Sequence, residues 1–91
     1  MALPTTVRNI TITGSGTEDT YTPSADVYAF TVRPRTNGVK MRTTAAGAYF
    51  TIPSGEWRRQ SAIMTQQPFY FEGTGGADVL EIVEELGPVL P

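Results

Sequence analysis

The chain has no cysteine and no histidine among its 91 residues. Without cysteine there is no disulfide framework, no thiolate zinc site and no cysteine nucleophile. Without histidine there is no Ser-His-Asp triad and no imidazole base or metal ligand. No apolar run approaches the roughly 18 residues that would suggest a membrane-spanning helix. The start, residues 1–8, lacks a basic segment followed by an apolar one, so no signal peptide is expected. Asn9-Ile10-Thr11 matches a glycosylation sequon, but in a threonine-rich chain without a secretion signal it reads as chance. Lysine is nearly absent too: Lys40 is the only one.

What is present suits one small globular domain. Hydrophobic residues make up 40% and the net charge is −2, which fits poorly with disorder or a coiled coil. Area scaling allows roughly 64% of the unfolded surface to be buried, enough for one modest core. Threonine occurs 14 times, and valine, isoleucine, tyrosine and phenylalanine supply another 20 residues. These side chains favour a pleated, half-buried surface over a helix. Glycine and proline punctuate the chain at short intervals, so the expected fold is all-β: a single antiparallel β-sandwich or jelly-roll-like domain of seven to eight short strands. The expected layout is an arm over 1–5, the sandwich over 6–86 and a tail over 87–91.

Alternation locates the strands. Ile10 and Ile12 share one face, opposed by Asn9, Thr11 and Thr13. Tyr28, Phe30 and Val32 share a face, as do Val39, Met41 and Thr43, then Ala48, Phe50 and Ile52. Asn37-Gly38 reads as a hairpin turn, and residues 53–56 form another turn with Pro53 at its first corner. Trp57 to Thr65 is the least periodic stretch and predicts a broken or bulged strand. Phe69 and Phe71 alternate with Tyr70 and Glu72. Residues 78–86 are ambiguous: Val79, Ile82, Val83 and Leu86 have helical spacing, while Leu80 and Ile82 alternate with Val79, Glu81 and Val83. A short isolated helix is marginal, so strand is the expectation.

Charge is segregated. Residues 32–60 carry Arg33, Arg35, Lys40, Arg42, Arg58 and Arg59 against Glu56 alone; residues 61–91 carry five acids and no base. Such halves can attract within one chain or between neighbours. Catalytic patterns are thin. Lys40 has no evident serine partner, and the acid pairs Glu18-Asp19 and Glu84-Glu85 have no cleft in view. Glu18, Asp19 and Asp26 could offer oxygen ligands to calcium, without an ordered loop pattern. Residues 73–76 are glycine-rich but lack the Lys-Ser/Thr of a phosphate loop, so a flexible hairpin tip is expected. No pattern calls for a cofactor or a metal. The bases interleave with Tyr49, Phe50 and Trp57, as in single-strand nucleic-acid binders, yet an isoelectric point near 4.9 speaks against nucleic acid. A sugar platform on Trp57, Tyr49 or Tyr70 is the other binding alternative.

Residues 41–56 run from a basic strand through a small-residue turn to an aromatic strand and a Pro/Gly turn. This segment resembles one in small virion proteins of tailed double-stranded DNA bacteriophages. Residues 68–73 and 79–83 resemble later strands of the same proteins. The resemblance covers roughly 26–86 and carries no catalytic residues. It implies a capsid decoration (cement) protein on the outer capsid surface of the virion, assembled in bacterial cytoplasm, with the major capsid protein as partner and no membrane. A head-fibre base, a head–tail adaptor or a tail protein is the alternative within the same class. Decoration proteins are often trimers, and here the basic strands, with Lys40, Arg42, Arg58 and Arg59 as edge charges, would face acidic strands of a neighbour in a homotrimer. Apolar arms at Leu3 and Pro4 and at Leu86, Val89 and Leu90, stiffened by Pro4, Pro88 and Pro91, would dock on the shell. Trp57, beside Arg58 and Arg59, would anchor the body.

Overall fold

In a computed structural model, residues 5–61, 63 and 66–87 are described. They form eight strands and no helix: β1 (Thr5–Ile12), β2 (Glu18–Tyr21), β3 (Val27–Pro34), β4 (Val39–Arg42), β5 (Phe50–Ile52), β6 (Arg58–Gln60), β7 (Phe69–Gly73) and β8 (Asp78–Leu86). Sheet I has the order β1-β8-β3-β6 and sheet II the order β2-β7-β4-β5. All pairings are antiparallel. This is an antiparallel β-sandwich with jelly-roll connectivity, in which most successive strands switch sheets. Residues 78–86 are strand. Packing of Leu80 and Ile82, both fully buried, onto the facing sheet decides against the helical reading.

The core lies between the sheets. Ile12, Phe30, Val32, Leu80 and Ile82 of sheet I meet Tyr21, Val39, Met41, Ile52, Phe69 and Phe71 of sheet II. Phe30 sits at its centre, with Tyr21 and Phe69 meeting it edge-on at centroid distances of 5.0 and 4.9 Å. Each large core ring contributes apolar burial worth about 1.5–3 kcal/mol before ordering costs. The alternation of β3 carries one correction. Its pairing with β8 shifts register between Val27 and Ala29, so Tyr28 leaves the Phe30 and Val32 face, and its hydroxyl lies 3.3 Å from Glu85 on the outside. An extra residue in one strand moves everything before it to the other face.

Four connections, β1–β2, β3–β4, β5–β6 and β7–β8, cross between the sheets at one end of the sandwich. Two expected hairpins are therefore corrected. Asn37-Gly38 joins sheet I to sheet II, and residues 73–76 return the chain from sheet II to sheet I. The first crossing is held by Asp78, buried to 4% exposure, whose carboxylate accepts the backbone N–H groups of Thr36, Asn37 and Val79 at 2.9, 2.8 and 2.7 Å. That holds the β3–β4 connection over the start of β8. The residue 73–76 segment is tied in as well: Thr74 Oγ1 donates to the Asn37 carbonyl at 2.8 Å, and Ser15 N–H donates to the Gly75 carbonyl at 2.7 Å. Gly14, at φ +138°, packs directly on Gly73, where a Cβ would stand 2.8 Å from the Gly14 Cα. Only glycine permits backbones this close.

Candidate interaction surfaces

The outer face of each sheet is a lattice of ion pairs. On sheet I, Arg33 and Arg35 both bind Glu81, at 2.5 and 2.9 Å, and Arg59 binds Glu85 at 2.9 Å. On sheet II, Arg42 grips Glu18 through Nε and Nη2 at 2.8 and 3.0 Å, Tyr49 donates its hydroxyl to the same carboxylate, and Lys40 lies 3.4 Å from Glu72. The carboxyls are held below their usual range: Glu18 by Arg42 and then Tyr49, Glu81 by Arg33 and Arg35, Glu85 by Arg59. For Glu72 the first cause is the backbone N–H of Gly16, with Lys40 adding to it. The Tyr49 hydroxyl is pushed up to about 12 by the Glu18 bond, then by burial. Most of the basic middle is thus neutralised inside one chain, by the acidic end and by Glu18.

This arrangement bears on the binding alternatives. Arg42 lies over both Tyr49 and Tyr70, at 4.9 and 5.6 Å from their centroids, so those rings already have a cation on them. Glu18, Asp19 and Asp26 do not converge. Glu18 binds Arg42, Asp19 accepts the Thr13 N–H at 2.8 Å, and Asp26 accepts the Ser24 hydroxyl at 2.9 Å. Among the described residues no group of three His, Cys, Asp or Glu side chains could hold a metal ion.

Two flanks of sheet I remain open. At the β6 edge, Trp57 is 51% exposed and is held by the Arg33 guanidinium 4.6 Å from its ring. Arg58 stacks over Phe50 at 4.2 Å. Between them is a cleft of about 180 Å³ lined by Phe50, Ile52, Pro53, Glu56, Trp57 and Arg58. Trp57 and Arg58 thus form one exposed aromatic–cation ledge, while Arg59 points to the outer face and pairs with Glu85.

At the opposite edge, β1 carries Val7 at 72% exposure. Beside it lies a second cleft, about 290 Å³, lined by Thr6, Val7, Arg8, Asp26, Glu84 and Leu86. Glu84 faces inward at 3% exposure and accepts hydroxyls from Tyr21 at 2.5 Å and Thr6 at 2.7 Å, with Arg8 Nε 3.7 Å away. Burial, then the Glu84 bond, pushes the Tyr21 hydroxyl far above its ordinary range. The sequence offered Glu84 only as one of an acid pair with Glu85. Its position was legible, because it continues the Leu80 and Ile82 face by one more step of two.

The residues expected at the subunit contact and at the shell contact occupy different parts of the fold where they are described. Arg42 is on the outside of sheet II, on an interior strand, as is Lys40; neither is an edge charge. Trp57 and Arg58 lie on the β6 flank, three strands and roughly 14 Å across the sheet from β1. Leu3, Pro4, Pro88, Val89, Leu90 and Pro91 lie outside the described residues. The fold and these surfaces define a jelly-roll sandwich with two open flanks. No protein-family model, no curated protein and no solved structure matches the chain.

Proposed function

We propose that this chain is a non-enzymatic structural protein that docks on an assembled protein surface, in the manner of a capsid decoration protein of a tailed bacteriophage with the major capsid protein as partner. The observation that carries the reading is the Trp57 ledge. A half-exposed tryptophan with one arginine stacked on it and another beside it is the composition of an interface hot spot. The jelly roll is compatible, since virus capsid domains use it, but it serves lectins and cupins as well and by itself selects none of them. The resemblance of residues 41–56 favours the virion among these. Pairing of opposite charges between copies is not part of this reading, because Arg33, Arg35, Lys40, Arg42 and Arg59 already have acidic partners in their own chain.

Adding purified protein to shells that lack it, and imaging by electron microscopy, tests the reading. Density on the outer surface that falls sharply with Trp57→Ala supports it. Bare shells with the wild-type chain would remove the decoration role and leave the other virion positions.

A further inference from the structure

The four sheet edges are not treated alike. β2 has four residues and carries Glu18 and Asp19; β5 and β6 have three each, with Arg58 and Arg59 on β6. Short length and charge are the usual means of blunting an edge against pairing. β1 has neither. It runs for eight residues, keeps one unbroken register with β8, holds six β-branched residues and has Arg8 as its only charge. Its residues Thr5–Asn9 are all exposed. Val7 is more exposed than Trp57.

We infer that β1 pairs antiparallel with β1 of a second copy, about a twofold axis through Val7, to give one continuous eight-stranded sheet. Face parity and charge select this register. For inward residues to meet inward residues, the axis must pass through a residue rather than between two. An axis at Arg8 sets two arginines directly opposite, which is destabilising. An axis at Asn9 sets the two exposed valines against threonines. An axis at Val7 places the valines on each other. Since Val7 is already paired with Val83, the result is a stripe of four valines across the outer face, Val83 and Val7 from each copy.

The inner face agrees. In this register Arg8 of the second copy lies across from Thr6, the residue whose hydroxyl binds Glu84. The cleft there contains the carboxylates of Glu84 and Asp26 with only Arg8 as a cation. Each copy therefore brings a second guanidinium to a cleft that has an excess of acid. An isologous interface supplies both contacts twice. The pairing uses the flank opposite Trp57, so a dimer still presents a ledge at each end.

The test exploits the absence of cysteine. Val7→Cys in the full chain should form an intermolecular disulfide on mild oxidation, because directly opposed strand positions lie within disulfide reach. Asn9→Cys, which would face Thr5, should not. Sedimentation equilibrium of the wild type should show the mass rising from 9.9 kDa to twice that value as concentration approaches about 1 mM. Val7→Lys should weaken association by about tenfold or more, leaving the melting temperature in dilute solution unchanged. A wild type that stays at 9.9 kDa throughout, a Val7→Lys chain that dimerises as well as wild type, or cross-linking through Asn9→Cys in place of Val7→Cys would each overturn the proposal. A monomer whose shell occupancy falls with Val7→Lys would also overturn it, and would assign the edge to the shell.

Discussion

β8 carries a buried carboxylate near each end, and the two are used differently. Asp78 accepts three backbone N–H groups at the end where four connections cross between the sheets. Glu84 accepts two side-chain hydroxyls at the end where sheet I runs on beyond sheet II, so that Thr6 and Arg8 are exposed although they face inward. Exposure of the two acids is nearly equal, 4% and 3%. Burial alone therefore does not distinguish them; their donors do. Backbone donors fix where the chain goes, so Asp78 belongs to the folding of the closed end. Hydroxyl donors on Tyr21 and Thr6 satisfy Glu84 without fixing a chain connection, and the outer side of the neighbouring β1 stays available for contact.

Acid should have the largest effect on this contrast. Burial raises the Asp78 carboxyl, but the backbone N–H groups of Asn37, Val79, Thr36 and Gly38 together outweigh it and hold the group below its usual range. Glu18, Glu72, Glu81 and Glu85 are lowered too. A carboxyl with a depressed folded pKa contributes stability that is complete above its unfolded value near 4 and lost as pH falls through the folded one. Urea unfolding should thus be flat from pH 7 to about 5 and weaken steadily below 4. A profile still flat at pH 2.5 would contradict the lattice of paired acids.

Asp78→Ala is next. It strips partners from Thr36, Asn37 and Val79 at once, and should cost about 2–4 kcal/mol in chemical denaturation. Tyr21→Phe removes one of the two hydroxyls on Glu84 while keeping the ring against Phe30, and should cost about 1–3 kcal/mol. A loss from Tyr21→Phe larger than that from Asp78→Ala would reverse the assignment of the closed end as the stabilising one. Trp57→Ala should matter least to folding, within about 0.5 kcal/mol, because half of the ring is in water. Under the proposed docking role its effect should appear in shell occupancy instead.

Much of the sandwich was legible because alternation is local. Ile10 with Ile12, Phe69 with Phe71, and Leu80 with Ile82 each declare a face within three residues. The crossings were not legible, since Asn37-Gly38 has the chemistry of a hairpin and the group that redirects it, Asp78, is far along the chain. The bulge that turns Tyr28 outward is a property of the pairing with β8, invisible within β3 itself. The charge segregation was visible, but its resolution within one chain required knowing that Arg33 and Glu81 are register partners. Of the expected site, Trp57 and Arg58 came together as an exposed ledge. Arg42 pairs with Glu18 in its own chain, and the β1 edge was missed because its residues look like ordinary strand until the sheet order leaves its second side open.

Hydrogen exchange of the full chain at two concentrations tests the contrast between the ends most directly. The account predicts that amides in residues 5–9 gain protection as concentration rises, while those of Thr36, Asn37 and Val79 at the Asp78 end are equally slow in both samples. Exchange in residues 5–9 that is independent of concentration, or concentration-dependent protection at residues 56–60 instead, would contradict it.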